Sequence, residues 1–309
     1  KVFWEIFDEF KDFIGTKTNC TMMQHPQLEA DDLIAGWIQS HPEDNHVIIS
    51  TDGDFAQLIA PNVKQYNGVS NTIITHEGYF DDKKRKPVID KKTGEPKVAP
   101  NPQFMLFEKC MRGDTSDNVF SAYPGVRKKG TKNKVGLIEA FADKDTKGYN
   151  WNNMMLQRWV DHEGNEHRVL DDYNRNVTLC DLTAQPDNIR TILNEVIEEH
   201  MTAKDISQVG MRLMKFCAKW DMQRVADQAT HFAEPLNACC ALSRRVSSAV
   251  ISVFDASRLP AFIFPKPKSF PAPIVASPDS GVAVKILSPL DFNCVSSANL
   301  ARPTWAIVT

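Results

Sequence analysis

Val2, Phe3, Ile6, Phe7, Phe10, Phe13 and Ile14 recur at helical spacing, which predicts an amphipathic helix whose apolar face needs a partner. A turn-like stretch separates it from Glu29-Ala30-Asp31-Asp32-Leu33-Ile34-Ala35-Gly36-Trp37-Ile38, a second helical pattern. His46-Val47-Ile48-Ile49-Ser50 is a compact apolar run that fits a buried parallel strand. It stops abruptly at Thr51-Asp52-Gly53-Asp54. Phe55 to Ile59 fits a short helix, and Val63 to Tyr66 and Thr72 to Thr75 fit further strands. Helix, strand, acidic turn, helix is the order of an open α/β sheet, in which ligands sit beyond the carboxyl ends of the strands.

The pattern changes at residues 81 to 103. Asp81-Asp82-Lys83-Lys84-Arg85-Lys86-Pro87 and Lys91-Lys92-Thr93-Gly94 are charged and flanked by prolines, as in an exposed hairpin or mobile loop. From Pro102 to about Leu236 the spacing is mostly helical, and Trp151, Trp159 and Trp220 fall in helical patterns as core residues. Beyond Ala241 there is no Glu, and Ser and Pro dominate without a sustained period, so no fold is expected there. The expected partition is 1–110, an α/β part; 111–237, a mostly helical region; and 238–309, an unassigned tail that packs poorly on the rest.

Composition adds little. The 309 residues are 42% hydrophobic and 24% charged, ordinary for a globular chain with a sizeable core. The net charge of −3 neither announces nor excludes nucleic acid, because acidic clusters and basic patches cancel in the sum. The seven cysteines show no CxxC pair or zinc spacing and are expected to be free thiols in a reducing cytoplasm. No apolar run is long enough to span a bilayer, and no signal peptide is visible. Lys1 begins inside a helical pattern, which suggests a truncated start. The eight histidines are scattered, and Asp161, Asp171 and Asp172 fit exposed positions without a role.

Three carboxylate groups carry the chemistry: Glu29, Asp31 and Asp32 at a helix start; Asp52 and Asp54 at a strand end; Asp114 and Asp117 in Gly113-Asp114-Thr115-Ser116-Asp117-Asn118. Each has a plain alternative. Acidic residues favour a first helical turn, and Asp-Gly is common turn chemistry. Together they point elsewhere. Asp52 and Asp54 follow the apolar strand directly, and Glu29 to Asp32 precede it by one helix, so both are expected near one sheet edge. Several carboxylates there repel each other unless cations neutralise them, and hard oxygen ligands suit Mg²⁺ or Mn²⁺. Two such ions roughly 4 Å apart stabilise both the attacking and the leaving oxygen of a phosphodiester displacement.

At these residues the chain resembles the 5′-nuclease superfamily, which includes flap endonucleases, the 5′-nuclease domain of bacterial DNA polymerase I and phage 5′-exonucleases. It is most similar to the ribonuclease H group of T-even-like phages. Glu29-Ala30-Asp31-Asp32, Ser50-Thr51-Asp52-Gly53-Asp54-Phe55 with Gln57-Leu58, and the Gly113 to Asn118 signature occur in order over roughly residues 1 to 237. The resemblance implies a parallel-sheet, PIN-like α/β domain followed by a helix-3-turn-helix region. It implies metal roles for Glu29, Asp31, Asp32, Asp52, Asp54, Asp114 and Asp117, with Asp52, Asp54 and Asp117 catalytic and two Mg²⁺ ions that Mn²⁺ can replace. It also implies a helix-loop-helix that grips duplex phosphates. Tyr123-Pro124-Gly125-Val126 fits its start and Gly136 to Phe141 its second helix, so Gly125, Arg127, Lys128, Lys129, Lys132 and Lys134 are expected to bind DNA. That basic loop is longer than the family's usual form.

The implied activity is a metal-dependent 5′-3′ exonuclease and flap endonuclease with ribonuclease H activity, removing RNA primers and 5′ flaps in DNA replication. The implied partners are DNA and RNA–DNA hybrids with 5′ flaps or ends, with a single-strand-binding protein or sliding clamp as a protein partner and no membrane. A monomer in the cytoplasm of a phage-infected bacterium is expected. The family's opening strand with its Asp, a later Asp and a basic helical arch have no counterpart before Lys1, so the fold is expected to be incomplete at its start and this chain weak or inactive. The alternatives are a catalytically incomplete DNA-binding fragment and another metal-dependent phosphoryl-transfer enzyme.

Overall fold

The computed structural model describes residues 2–123, 136–202, 204–237, 248–253 and 303–308. They fall into two compact units. One takes Lys1–Phe55, Ile59–Ala99 and Thr191–Thr309; the other takes Ala56–Leu58 and Pro100–Arg190.

The first unit is built on a seven-stranded sheet. Its strands are β1 (Thr21–Met23), β2 (Asn45–Ile49), β3 (Val63–Asn67), β4 (Thr72–Thr75), β5 (Gly78–Asp81), β8 (Ser248–Val253) and β9 (Pro303–Val308). The order is β1-β9-β8-β2-β3-β4-β5. Pairing is parallel from β1 through β3 and antiparallel from β3 to β5. The sheet is therefore mostly parallel, as expected, and the apolar run at 46–49 is one of its inner strands. His46 and Ile48 are its buried positions.

The helix α1 (Val2–Lys17) finds the partner its apolar face requires. Phe13 and Ile14 are buried against α8 (Val209–Lys219), with Phe13 and Phe216 ring centroids 5.0 Å apart. Glu9 and Lys219 close the same contact as an ion pair at 2.6 Å. Trp4, in the first turn, stays 42% exposed. Helix α2 (Ala30–Ser40) buries Leu33 to Trp37, and at Gly36 it meets Leu193 of α7 (Asp187–Glu199). A Cβ on Gly36 would lie 2.6 Å from Leu193 Cδ2, so this approach depends on the missing side chain. The last part of the mostly helical stretch forms three helices: α8, α9 (Gln223–Ala226) and α10 (Ala229–Asn237). Asp221, left-handed at φ 52°, breaks the first from the second.

The second unit packs α3 (Pro102–Arg112), α4 (Leu137–Ala142), α5 (Tyr149–Met155) and α6 (Val169–Cys180). Asn101 caps α3 by accepting from the Phe104 amide at 3.0 Å, and Pro102 opens its first turn. Phe107, Trp151 and Tyr173 form the aromatic centre, with centroids 5.7–6.0 Å apart.

Three expectations differ from this fold. Inside the stretch expected to be mostly helical, β6 (Arg158–Val160) and β7 (Glu166–Arg168) form a hairpin. Asp161 accepts from the Glu163 and Asn165 amides, and Gly164 supplies φ 88°, so turn chemistry wins over a weak helical pattern. Trp159 consequently lies on a strand, not a helix. The second difference is the segment beyond 238, expected to stay outside the fold. Its hexapeptides β8 and β9 lie between β1 and β2 in the sheet. The physical reason is the ladder: β1 and β2 present backbone donors and acceptors that need partners, and two short strand-forming segments supply them. Third, the compact units do not follow the sequential partition, because residues from Thr191 onward return to the sheet unit.

Candidate metal centre

In the sheet unit the acidic residues come from two places. Glu29 precedes α2 in extended conformation, and its amide donates to Asp32 Oδ2 at 3.0 Å in a reciprocal cap. Glu29 and Asp32 thus serve the helix start. Asp31, between them, serves a different grouping. Beyond β2, the Ser50 hydroxyl accepts from the Asp52 amide and Asp52 Oδ1 accepts from the Asp54 amide, each at 3.0 Å. These bonds fold the turn so that oxygens of Asp31, Asp52 and Asp54 all lie within 4.8 Å of one another. Gln65, buried on β3, braces the turn by donating from Nε2 to the Ser50 carbonyl at 3.1 Å and to the Asp52 carbonyl.

The electrostatics of this group are uncomfortable without a cation. Two unit charges at such separations repel by roughly 3–4 kcal/mol at an effective dielectric near 20. Burial pushes the Asp31 carboxyl up to about 7, and the neighbouring Asp52, Asp54, Glu29 and Asp32 push in the same direction. Three half-buried carboxylates held this close fit a divalent cation of the Mg²⁺ or Mn²⁺ kind.

In the helical unit, Asp114 and Asp117 sit on a tight loop after α3. Gly113 ends the helix at φ 71°, and Asp114 and Val119 exchange both backbone hydrogen bonds at 2.8 and 2.7 Å. Asn118 turns the loop with a left-handed φ of 56°. The Ser116 hydroxyl, above all, holds the Asp114 carboxyl below its ordinary range. Burial opposes it, while the Ser116 amide and Lys109 add to it. Lys109 Nζ lies 3.1 Å from Asp117 Oδ2 and 3.4 Å from Asp114 Oδ2, so one ammonium serves both carboxylates.

Gly125, Arg127, Lys128, Lys129, Lys132 and Lys134 lie outside the described residues. The flanks are described: Tyr123 is buried, and Gly136 caps α4, the expected second helix of the phosphate-gripping element. Sequence reasoning missed Gln65, Lys109 and Asn176 of α6. Gln65 shares strand parity with buried Val63, and Asn176 shares the buried face of α6 with Val169 and Tyr173. A polar residue on an apolar face was the available signal. Asp172, expected to be exposed, is buried and bonded to Arg175 at 2.7 Å.

Fold and donors together define a class: an α/β protein with clustered carboxylates at the carboxyl end of a parallel strand. Comparison with known proteins adds the particulars. The chain is 30% identical over 130 residues to a DNA polymerase I of Rhizobium leguminosarum, a match covering 41% of this chain and 11% of the polymerase. It therefore spans about a tenth of that relative's length. A solved T5 5′-exonuclease variant is similar at 16% identity and a TM-score of 0.32, over 55% of this chain and 66% of that one. A T5 protein co-crystallized with metal ions is similar at 15% identity and 0.34, over 57% and 61%. No family model matches the chain. Among the described residues, no helix is long and apolar enough to cross a membrane.

Proposed function

We propose that this chain is the nuclease part of a metal-dependent 5′-3′ exonuclease and flap endonuclease that also removes RNA from RNA–DNA hybrids. Its place would be primer and flap removal in DNA replication, in a phage-infected bacterium, with Mg²⁺ as the cation. The observation that carries the reading is the convergence of Asp31, Asp52 and Asp54 beyond the carboxyl end of β2. A divalent cation held there supplies Lewis-acid stabilisation of charge developing on a phosphodiester. The chain's own contribution is positional. The cap at Glu29 and Asp32 sets the pitch of the first turn and so the reach of Asp31. Ser50 and Gln65 fix the backbone that carries Asp52 and Asp54.

Asp114 and Asp117 join this metal chemistry on the resemblance alone. Arg127 to Lys134 supply the phosphate grip by their charge and sequence position, and such contacts position a duplex without reading its bases. The test uses labelled 5′-flap DNA and an RNA–DNA hybrid. Cleavage by the whole protein of which this chain is the nuclease part is expected with Mg²⁺, lost in EDTA, and reduced by at least about a hundred-fold in Asp52→Asn with Asp54→Asn. Replacing Lys128, Lys129 and Lys132 together is expected to weaken duplex binding and flatten its salt dependence. Cleavage that survives both EDTA and the Asp52/Asp54 substitutions overturns the reading.

A further inference from the structure

We propose that Asn176, oriented by Arg175, is a positioning residue for the carboxylate loop of Gly113 to Phe120. The inference rests on the reading that Asp114 and Asp117 serve a divalent cation, and it names what holds them in place.

Asn176 is fully buried on α6, yet its side chain is an amide. Its Nδ2 donates at 2.7 Å to the Cys110 carbonyl and at 2.7 Å to the Phe120 carbonyl. These two carbonyls lie on either side of the loop: one in the last turn of α3, the other just past Val119. The Cys110 carbonyl would accept from the Asp114 amide if the helix continued. That amide instead donates to the Val119 carbonyl, so the helix end needs another donor. One amide group thus ties the outgoing and returning limbs together. Ser121 adds a parallel tie from its hydroxyl to the Met111 carbonyl at 3.1 Å.

The orientation of the amide is determined as well. Arg175 donates from Nε and Nη2 to Asn176 Oδ1 at 3.2 and 3.1 Å, so the oxygen faces the guanidinium and the NH₂ faces the loop. Arg175 is itself anchored on Asp172 at 2.7 Å. A flipped amide would set its oxygen against two carbonyl oxygens and its NH₂ against a cation. The buried Asn has two donor hydrogens and both are used, which a purely space-filling residue would not require.

The test follows amide hydrogen exchange and Mn²⁺ binding by calorimetry on the whole chain. In Asn176→Ala the Asp114 and Val119 amides are expected to lose protection, and Mn²⁺ affinity to fall about ten-fold, as for groups that orient metal ligands. Arg175→Met leaves no cavity in the core, because Arg175 is half exposed, and is expected to act in the same direction with smaller size. Val169→Ala, in the same helix, lowers the melting temperature but leaves loop protection and Mn²⁺ affinity unchanged. If Asn176→Ala and Arg175→Met behave like Val169→Ala while Asp114→Asn and Asp117→Asn weaken Mn²⁺ binding, the positioning role is overturned and the cation reading stands. If neither Asp substitution affects Mn²⁺ binding, the cation reading of the loop falls, and the inference with it.

Discussion

Replacing Gly113 with Ala tests how the Asp114–Asp117 loop is built. Gly113 adopts φ 71° and ψ 174°, a region open essentially to glycine, where another residue costs roughly 1–3 kcal/mol. A Cβ there would also lie 2.4 Å from the Val119 oxygen, 2.6 Å from the Phe120 carbonyl carbon and 2.6 Å from the Ser121 nitrogen. All three are backbone atoms, so no rotamer change relieves the clash. The returning limb is pinned by the paired Asp114–Val119 bonds and by Asn176, so it cannot move without breaking them. Overpacking of this kind adds about 1–3 kcal/mol. Gly113→Ala should therefore lose on the order of 3 kcal/mol or more, a large share of the roughly 5–15 kcal/mol of a typical domain. Urea unfolding measures the loss, and amide exchange at Asp114 and Val119 localises it. Gly53→Ala is the contrast: its Cβ would meet nothing within 4 Å, and it should stay within about 0.5 kcal/mol of the parent. Equal, small effects at both glycines would refute the argument from backbone crowding.

Two further outcomes follow from the fold. His167 lies 3.1 Å from Asp161 and 3.2 Å from Asp172 and stacks on Trp159, and its hydrogen bond to Asp161, above all, raises its pKa over the ordinary 6.5. A raised histidine contributes stability fully below 6.5 and loses it as the pH climbs through the folded value, so melting should drop over that window, and His167→Gln should flatten the drop. Removing residues 238–309 takes β8 and β9 from between β1 and β2, and each lost ladder bond is worth about 0.5–1.5 kcal/mol, so the shortened chain should melt lower; unchanged melting would place those strands outside the cooperative fold.

What the sequence revealed, it revealed through strong local patterns. The run at 46–50 ending in Asp52 and Asp54 is both an apolar strand and a carboxylate turn, so element and site were legible together. The aromatic period of α1 was equally clear, although its partner, α8, lies some two hundred residues on and no local pattern names it. The hairpin β6–β7 was hidden because its strands are three residues long, too short for a period of two to register. β8 and β9 were hidden by their surroundings: six-residue apolar pieces within a Ser- and Pro-rich stretch look like loop until a sheet edge selects them. Glu29 and Asp32 were legible both as a helix-start cap and as ligands, because the sequence that suits a helix start also suits a ligand set. Gln65 and Asn176 hold carbonyls rather than ligands, and backbone partners leave no mark on composition.

The two carboxylate groups relieve their charge in different ways, and that difference can be measured. Around Asp114 and Asp117 the compensating charge is the Lys109 ammonium, and Asp114 stays ionised well below neutrality. Around Asp52 and Asp54 relief comes from a proton on Asp31, whose carboxyl is pushed up to about 7, chiefly by burial. A divalent cation entering the Asp31 group must therefore expel a proton near or below neutral pH. Mn²⁺ binding followed by calorimetry in buffers of different ionisation enthalpy should show proton release that grows as the pH falls from 8 toward 6, roughly up to one proton per ion. Affinity should weaken over the same interval. Asp31→Asn should abolish the release. Without added metal it should also stabilise the chain above pH 7, by on the order of 2 kcal/mol, because a raised carboxyl loses stability as the pH climbs through its folded value and an amide has no such penalty. Proton release that is unaltered in Asp31→Asn would show that Asp31 does not carry the exchanged proton, and that the strain in this carboxylate group is relieved elsewhere.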